Sequence, residues 1–344
     1  MIDKKISNRI KLLGLIMTFF VVFYHSGWYD LPSTGPFDDK MIHVEDLFLE
    51  YSGGMTMSFF FTVTAFLLFR GFTMNQYVDK VKKRFMTLFI PYFLWQGIYI
   101  VFYTVVGTFN PEGLFRKLFL FGAWPPHGPL WYVYTIWVLA LITPVFYILF
   151  KNRKLGAVLM FVMTLVLYRL TFVDTDVLTR ISEYSYMSNV LIYIYSYFYG
   201  AYFGLHYDEI DSDGVMKICI MMIVGALCFD AEWEGFFMFF LRKLIPIMLI
   251  YFMPISDKVV SNKIIKTACG MTFLVYAVHP AISAMTGGII KKVIYQVIPI
   301  SWISDFIGRS INVVLFFVIV YVMRLVMSKI CPKLLALLSG GRVA

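Results

Sequence analysis

The chain has 344 residues, 60% of them hydrophobic and 15% charged, with a mean hydropathy of +0.76. A soluble domain is roughly 45–50% apolar and about 25% charged, so the composition excludes a soluble enzyme or binding module and reads as a polytopic membrane protein. The formal net charge of +9 does not point to nucleic acid, because Lys and Arg gather at the ends of apolar runs.

A membrane span needs about 20 mostly apolar residues at roughly 1.5 Å of rise each. Hydropathy then predicts an all-α polytopic membrane protein with about ten transmembrane helices, at about 10–29, 51–72, 86–107, 129–150, 155–173, 188–205, 216–230, 236–255, 268–289 and 307–327. The span at 216–230 is short, and the one at 236–255 carries Arg242 and Lys243. No cleavage site follows the first apolar run, so it is expected to be retained as a helix. No internal repeat, low-complexity segment or soluble linker is visible, and residues 1–344 read as a single integral membrane domain.

Lys and Arg set the orientation. One side collects Lys4, Lys5, Arg9 and Lys11; Arg70, Lys80, Lys82, Lys83 and Arg84; Lys151, Arg153 and Lys154; Lys217; Lys258, Lys263 and Lys266; and Arg324, Lys329, Lys333 and Arg342. These are 20 of the 30 basic residues, and they place both termini in the cytoplasm. The first outer loop, 30–50, is acidic, with Asp30, Asp38, Asp39, Glu45, Asp46 and Glu50. The connection HYDEIDSDG (206–214) is acidic and falls inside, but acidic residues weigh little in the rule. The outer loops at 108–128 and 290–306 mix Pro, Trp and apolar residues and are read as interfacial or re-entrant.

Several stretches carry side chains able to do chemistry. The first span, RIKLLGLIMTFFVVFYHSGWY (9–29), holds His25, 14 residues or roughly 21 Å along a helix from Lys11 and therefore in the outer half of the membrane. An ionisable residue inside such a run is expensive and marks a functional site; the plainer reading is a histidine at the interface or satisfied by a neighbouring helix. The second span, GGMTMSFFFTVTAFLLFRGF (53–72), is rich in Gly53, Gly54, Ser58, Thr62, Thr64 and Ala65, which read as helix-packing residues. In KVKKRFMTLFIPYFLW (80–95), the basic residues Lys80, Lys82, Lys83 and Arg84 suit a phosphate-rich cytoplasmic donor, or serve only the positive-inside rule and anionic lipid.

Further on, WPPHGPLWYVYTIW (124–137) puts His127 at the membrane surface between prolines, followed by Trp131, Tyr132 and Tyr134. Aromatic faces beside hydrogen-bond donors suit a sugar; an interfacial aromatic belt has the same composition. The run LIYIYSYFYGAYFG (191–204) holds five tyrosines whose hydroxyls need partners or water, so a polar cavity is expected there. In TFLVYAVHPAI (272–282), a second intramembrane histidine, His279, precedes Pro280, which is expected to break or kink its helix. Cys219, Cys228, Cys269 and Cys331 have no ligand spacing, so neither a metal nor a disulfide framework is expected.

These stretches, in this order, resemble the acyltransferase-3 family, the ten-helix bacterial membrane O-acyltransferases of surface carbohydrates. The resemblance covers nearly the whole chain: His25 ending the first span, FFFTVTAFLL (59–68), KKRFMTLFIPYFLW (82–95), GPLWYVYTIW (128–137), TFLVYAVHP (272–280) and the ending LLSGGR (337–342). Five positions depart from the family pattern. Gly14 stands where many members carry Arg or Lys, Thr64-Ala65 replaces Ser-Gly, Ser58 replaces an acidic residue, and Leu88 replaces an arginine paired with Arg84.

The resemblance implies transfer of an acyl group, most often acetyl, from cytoplasmic acetyl-CoA to a hydroxyl of a cell-surface carbohydrate or its lipid-linked precursor, in the bacterial cytoplasmic (inner) membrane. His25 is then the general base or an acyl relay. Lys80, Lys82, Lys83 and Arg84 would hold the CoA phosphates, and His127, Trp131, Tyr134 and His279 would serve the acceptor. Neither a metal nor nucleic acid is involved in this reading. The alternative is a membrane transporter or exporter of a sugar or amino acid, since intramembrane histidines and broken helices also fit transport.

Overall fold

The computed structural model describes residues 3–26, 35–121, 123–170, 186–230 and 235–342, with side chains from 193 onward in the fourth of these stretches. Among the described residues all regular structure is helical. That is the expected outcome in lipid, where every backbone polar group must be satisfied within the protein.

The helices are α1 (Lys4–His25), α2 (Pro36–Phe69), α3 (Tyr77–Arg84), α4 (Ile90–Val106), α5 (Leu114–Leu118), α6 (Trp131–Leu141), α7 (Thr143–Phe150), α8 (Arg153–Tyr168), α9 (Tyr186–Leu205), α10 (Ser212–Asp230), α11 (Phe236–Phe252), α12 (Asp257–Ser261), α13 (Lys263–Val297), α14 (Ser301–Ile330) and α15 (Pro332–Leu338). Each predicted span falls on one of them or, at 129–150, on the pair α6–α7. Among the described residues, six helical segments are long and apolar enough to cross a membrane, and up to seven if that pair counts as one bent span. The predicted ends at 27–29 and 171–173, and Asp30 of the acidic loop, lie outside the described residues.

Contacts divide the chain into two compact units, Met1–Thr56 with Ile255–Ala344, and Met57–Pro254. In the first unit, α13 packs on α14, and α1 packs on both. On α14, Val313, Phe316 and Val320 are buried while Val314, Val318 and Val322 are exposed. An exposed apolar face beside a buried apolar face is what lipid as solvent permits.

Two expectations are corrected in this unit. The acidic stretch 36–50 is not a loop but the start of α2, with Pro36 opening the helix and Asp38 and Asp39 in its first turn, where proline and carboxylates are both favoured. Buried Asp38 also accepts the backbone N–H groups of Ser301 (3.3 Å) and Trp302 (3.2 Å), which satisfies the start of α14. The outer loop expected at 290–306 shrinks to a short turn between α13 and α14.

Nor does Pro280 break its helix: α13 runs through it for 35 residues. A proline inside a helix removes a hydrogen bond to the carbonyl four residues back and costs about 3 kcal/mol. Here that carbonyl belongs to Tyr276, and the His279 ring nitrogen Nδ1 lies 2.6 Å from it. The imidazole thus replaces the missing backbone donor.

The family-like ending closes the same unit. After α15, Gly340 and Gly341 adopt φ of 61° and 73°, the left-handed conformation that glycine enters without strain. This turn lets Gly341 N–H bond Ala336 O at 2.8 Å. It also places the Arg342 guanidinium 4.4 Å from the ring centre of Phe273, in the TFLVYAVHP stretch.

In the second unit, α3 and α4 join through a π turn at Phe85–Phe89, and Gly107 ends α4 with φ of 77°. The fourth span is bent by 63° between α6 and α7, where Pro144 sits in the first turn of α7. The tyrosines of α9 are closed in rather than lining open water. Tyr195, Tyr197, Tyr199 and Tyr202 are fully buried. Tyr199 Oη meets Thr164 Oγ1 at 3.0 Å, and Tyr202 Oη donates to Arg153 O at 2.9 Å. Helix α9 lies so close to α2 that Thr62 Oγ1 donates to Ser196 O at 3.0 Å.

Candidate active site

His25 is the last residue of α1, where a helix leaves its final carbonyls without intrahelical partners. Side chains take up each of them here. Ser26 Oγ donates to Val22 O (2.7 Å), Arg309 Nη1 to Phe23 O (3.0 Å) and Tyr24 O (3.1 Å), and Ser283 Oγ to His25 O (2.6 Å). The end of α1 is thereby tied to α13 through Ser283 and to α14 through Arg309.

The structure brings both intramembrane histidines to this point. The His25 ring centre is 5.0 Å from that of His279, with the planes tilted by 41°, and the Tyr24 ring meets His25 edge-on at 5.1 Å. His279 is fully buried and His25 is half-buried. Because a carbonyl only accepts, the Tyr276 contact assigns the proton of a neutral His279 to Nδ1 and leaves Nε2 as the lone-pair nitrogen.

Arg309, which holds the end of α1, belongs to a set of four charges that the sequence did not bring together. Arg309 Nε pairs with Asp305 and, at 3.2 Å, with Glu45, while Lys291 pairs with Asp305. Two cations and two carboxylates make a neutral set, which is how buried charge is tolerated. A signal was present in the sequence: Asp305 and Arg309 are spaced i, i+4 on one helix, and Arg309 is ionisable inside a predicted span. At position 14, where the family carries a basic residue, an added Cβ would meet nothing within 4 Å. Packing therefore does not impose the glycine.

The other predicted site residues fall in the second unit, and they separate into two groups. Lys80 Nζ donates to Leu68 O (2.8 Å) and Arg70 O (3.3 Å), and Arg84 Nη2 donates to Thr64 O (3.2 Å). Both therefore bind carbonyls at the C-terminal end of α2, where cations are favoured. Lys82 and Lys83 are exposed. Replacing Lys82 and Lys83 together by Gln is expected to raise KM for acetyl-CoA more than it lowers kcat, with normal accumulation. Lys80→Gln or Arg84→Gln is expected to lose about 1–3 kcal/mol of stability, the cost of stranding buried carbonyls. Thermal unfolding and steady-state kinetics on the purified variants check both; equal loss of stability in the two sets would erase the distinction.

Trp131 is nearly buried, 6.0 Å from Phe61 and 5.8 Å from Tyr193, and Tyr134 lies 5.2 Å from Tyr92. His127, expected at the surface, is 0% exposed. Its backbone N–H donates to Gln96 Oε1 at 2.8 Å, and its ring centre lies 4.1 Å from that of Tyr99. The prolines around it fold the loop inward, and Gln96 supplies the polar partner that an inward loop requires. Lys243, noted in sequence only as a weakness of its span, is also buried. Its ammonium donates to Ser58 Oγ at 3.0 Å and faces the rings of Tyr193 (4.9 Å) and Phe239 (5.0 Å), the arrangement of a cation–π cage.

Among the described residues no cluster of three or more His, Cys, Asp or Glu side chains could hold a metal ion. No curated protein and no solved structure matches the chain. The family model of the acyltransferase domain, acyltransferase-3, matches residues 8–329 and so takes in His25, His279 and Arg309 together with the spans that carry them. The chain belongs to this family of polytopic membrane acyltransferases.

Proposed function

We propose that the protein moves an acetyl group from acetyl-CoA to a hydroxyl of a cell-surface carbohydrate or its lipid-linked precursor, in the bacterial inner membrane, with residues 1–344 as one acyltransferase domain of about ten spans. The Lys and Arg distribution supports cytoplasmic termini. Family membership supports acyl transfer and a donor of the acyl-CoA type. The observation that carries the choice of centre is the contact of His25 with His279 at the tethered end of α1.

A sugar hydroxyl is a weak nucleophile. Neutral His25 takes its proton as the oxygen attacks the thioester carbonyl. The C–O bond forms, the C–S bond breaks, and the proton passes from the imidazolium to the departing CoA thiolate. Histidine titrates in the range this requires. In the relay version His25 first accepts the acetyl group and then passes it to the sugar. Lys82 and Lys83, exposed and free of the carbonyls that occupy Lys80 and Arg84, suit the CoA phosphates as point charges. Trp131 and Tyr134 offer aromatic faces to the acceptor.

The test is acetyl-CoA binding to the purified protein in nanodiscs, followed by transfer of labelled acetyl to candidate sugars. Saturable binding with labelled O-acetyl product is expected. Absence of binding, together with sugar uptake that ignores acetyl-CoA, would replace this reading with transport.

A further inference from the structure

Lys243 lies on α11, inside the second unit, and is 2% exposed. Its ammonium has three N–H donors. One meets Ser58 Oγ of α2 at 3.0 Å, and the ring centres of Tyr193 and Phe239 lie 4.9 Å and 5.0 Å away. Among the described residues no carboxylate pairs with it. The buried cations of the first unit are treated differently: Lys291 and Arg309 are neutralised by Asp305 and Glu45.

A buried charge is costly unless a counter-charge and hydrogen bonds compensate it. One hydroxyl and two ring faces offer partial charges only, so the ammonium is solvated without being neutralised. A helix that needed only to pack here would do better with an apolar side chain of the same length. Both rings beside the ammonium, Tyr193 and Phe239, remain half-buried, so it lies one ring below the surface of its unit. Tyr193 also meets Trp131 and Phe61, each with ring centres 5.8 Å away. The cation therefore adjoins the aromatic faces offered to the acceptor.

We infer that Lys243 is an anion-recognition residue and that the acceptor carries the missing negative charge, as a carboxylate or phosphate, to the Trp131–Tyr193 rings. The inference rests on the reading of those rings as the acceptor side and deepens it by naming the acceptor class, an acidic sugar or a sugar joined to a lipid diphosphate. Either anion presents oxygens that accept the remaining N–H groups and cancel the charge. A neutral sugar does neither, so the site selects against it. The phosphates of the donor fit this place less well. In the proposed orientation the C-terminal end of α11 faces the cytoplasm, and Lys243 stands nine residues, roughly 14 Å, before that end.

The experiment measures equilibrium binding to the full-length protein in phosphatidylcholine nanodiscs, without acetyl-CoA. Two pairs of probes differ in charge: methyl glucuronide against methyl glucoside, and farnesyl diphosphate against farnesol. The wild-type protein is expected to bind the charged member of one pair about tenfold or more tighter, the factor a hydrogen bond to a charged group is worth. Preference within the sugar pair identifies an acidic sugar, and preference within the farnesyl pair identifies a lipid-linked acceptor. In Lys243→Met the preference is expected to fall to about onefold, with the melting temperature level or higher because a buried charge has gone. Ser58→Asp places a carboxylate against the ammonium and should abolish the preference with Lys243 still present, which guards against a misfolded Met variant.

No charge preference in the wild-type protein, or a preference that survives Lys243→Met, would overturn the inference. A lysine with a purely structural role predicts a lower melting temperature in Lys243→Met and the same ratio of affinities. If the charge preference is found and lost as expected but no probe is ever acetylated, the anion site stands and the transferase reading falls. If methyl glucoside is acetylated as readily as methyl glucuronide and no charged probe is preferred, acyl transfer stands and the anion site falls.

Discussion

His25→Gln is expected to reduce acetyl transfer by roughly 10²–10⁴-fold, the usual worth of a positioned base, in a protein that still inserts, folds and binds acetyl-CoA. The fold should survive because the tether at this site holds backbone atoms: Ser283 bonds the His25 carbonyl and Arg309 the two before it. None of these bonds involves the imidazole. Glutamine keeps a polar, hydrogen-bonding side chain beside Tyr24 and His279, but it cannot take a proton near neutral pH. Turnover of labelled acetyl-CoA measured beside a binding isotherm separates the two steps. The relay version adds a further observable: without acceptor, the wild-type protein should carry labelled acetyl on His25, detectable by peptide mass spectrometry. An active His25→Gln protein with normal kcat would sink both versions and move the chemistry to His279 or the function to transport.

Gly200→Leu is expected to prevent stable accumulation in the membrane. An added Cβ at Gly200 would stand 2.1 Å from Thr62 O and 2.8 Å from the Ala65 methyl, and one at Gly204 would stand 2.5 Å from Phe66 O. The nearest obstacles are backbone atoms of α2, which cannot rotate away. Gly200 and Gly204 are spaced as a GxxxG pair, which lets two helices in lipid approach to backbone contact. Overpacking a core commonly costs about 1–3 kcal/mol and occasionally more, and a rigid backbone obstacle puts Gly200→Leu at the upper end.

Gly97→Ala is the matched control. It lies inside α4, where an added Cβ meets nothing within 4 Å, so it should gain about 0.5–1 kcal/mol from helix propensity alone. Melting temperatures in one detergent compare the two. Equal behaviour of Gly200→Leu and Gly97→Ala would show that α2 and α9 need not pack closely.

The sequence by itself determined the class of fold, because the bilayer imposes a local rule. An apolar run of span length must satisfy its own backbone, and only a helix does this without partners. Hence the described residues of the hydropathy spans are helical apart from span ends and the α6–α7 bend, and six helical segments among them, or up to seven, are long and apolar enough to cross a membrane. The order of motifs sufficed for the family as well, and Thr62 and Ala65 of α2 do lie in close approach to Gly200 of α9, as small residues permit. His25 stood out because an ionisable group in an apolar run is conspicuous wherever it points.

Only the tertiary structure decided what each polar group meets. His25 and His279 lie far apart in sequence and share one contact because α1 packs on α13. Arg309, not singled out in the sequence, caps the helix that carries His25. Lys80 and Lys83 have the same charge and neighbouring positions, yet one is bound to carbonyls of α2 and the other is exposed. His127 turned inward because Gln96 was there to receive its backbone. Pro280 did not break its helix because His279 replaced its missing donor. The physical reason is common to all of these. Hydropathy and propensity are sums over neighbours along the chain, whereas a buried polar atom is satisfied by a single partner that folding brings to it from any distance in sequence.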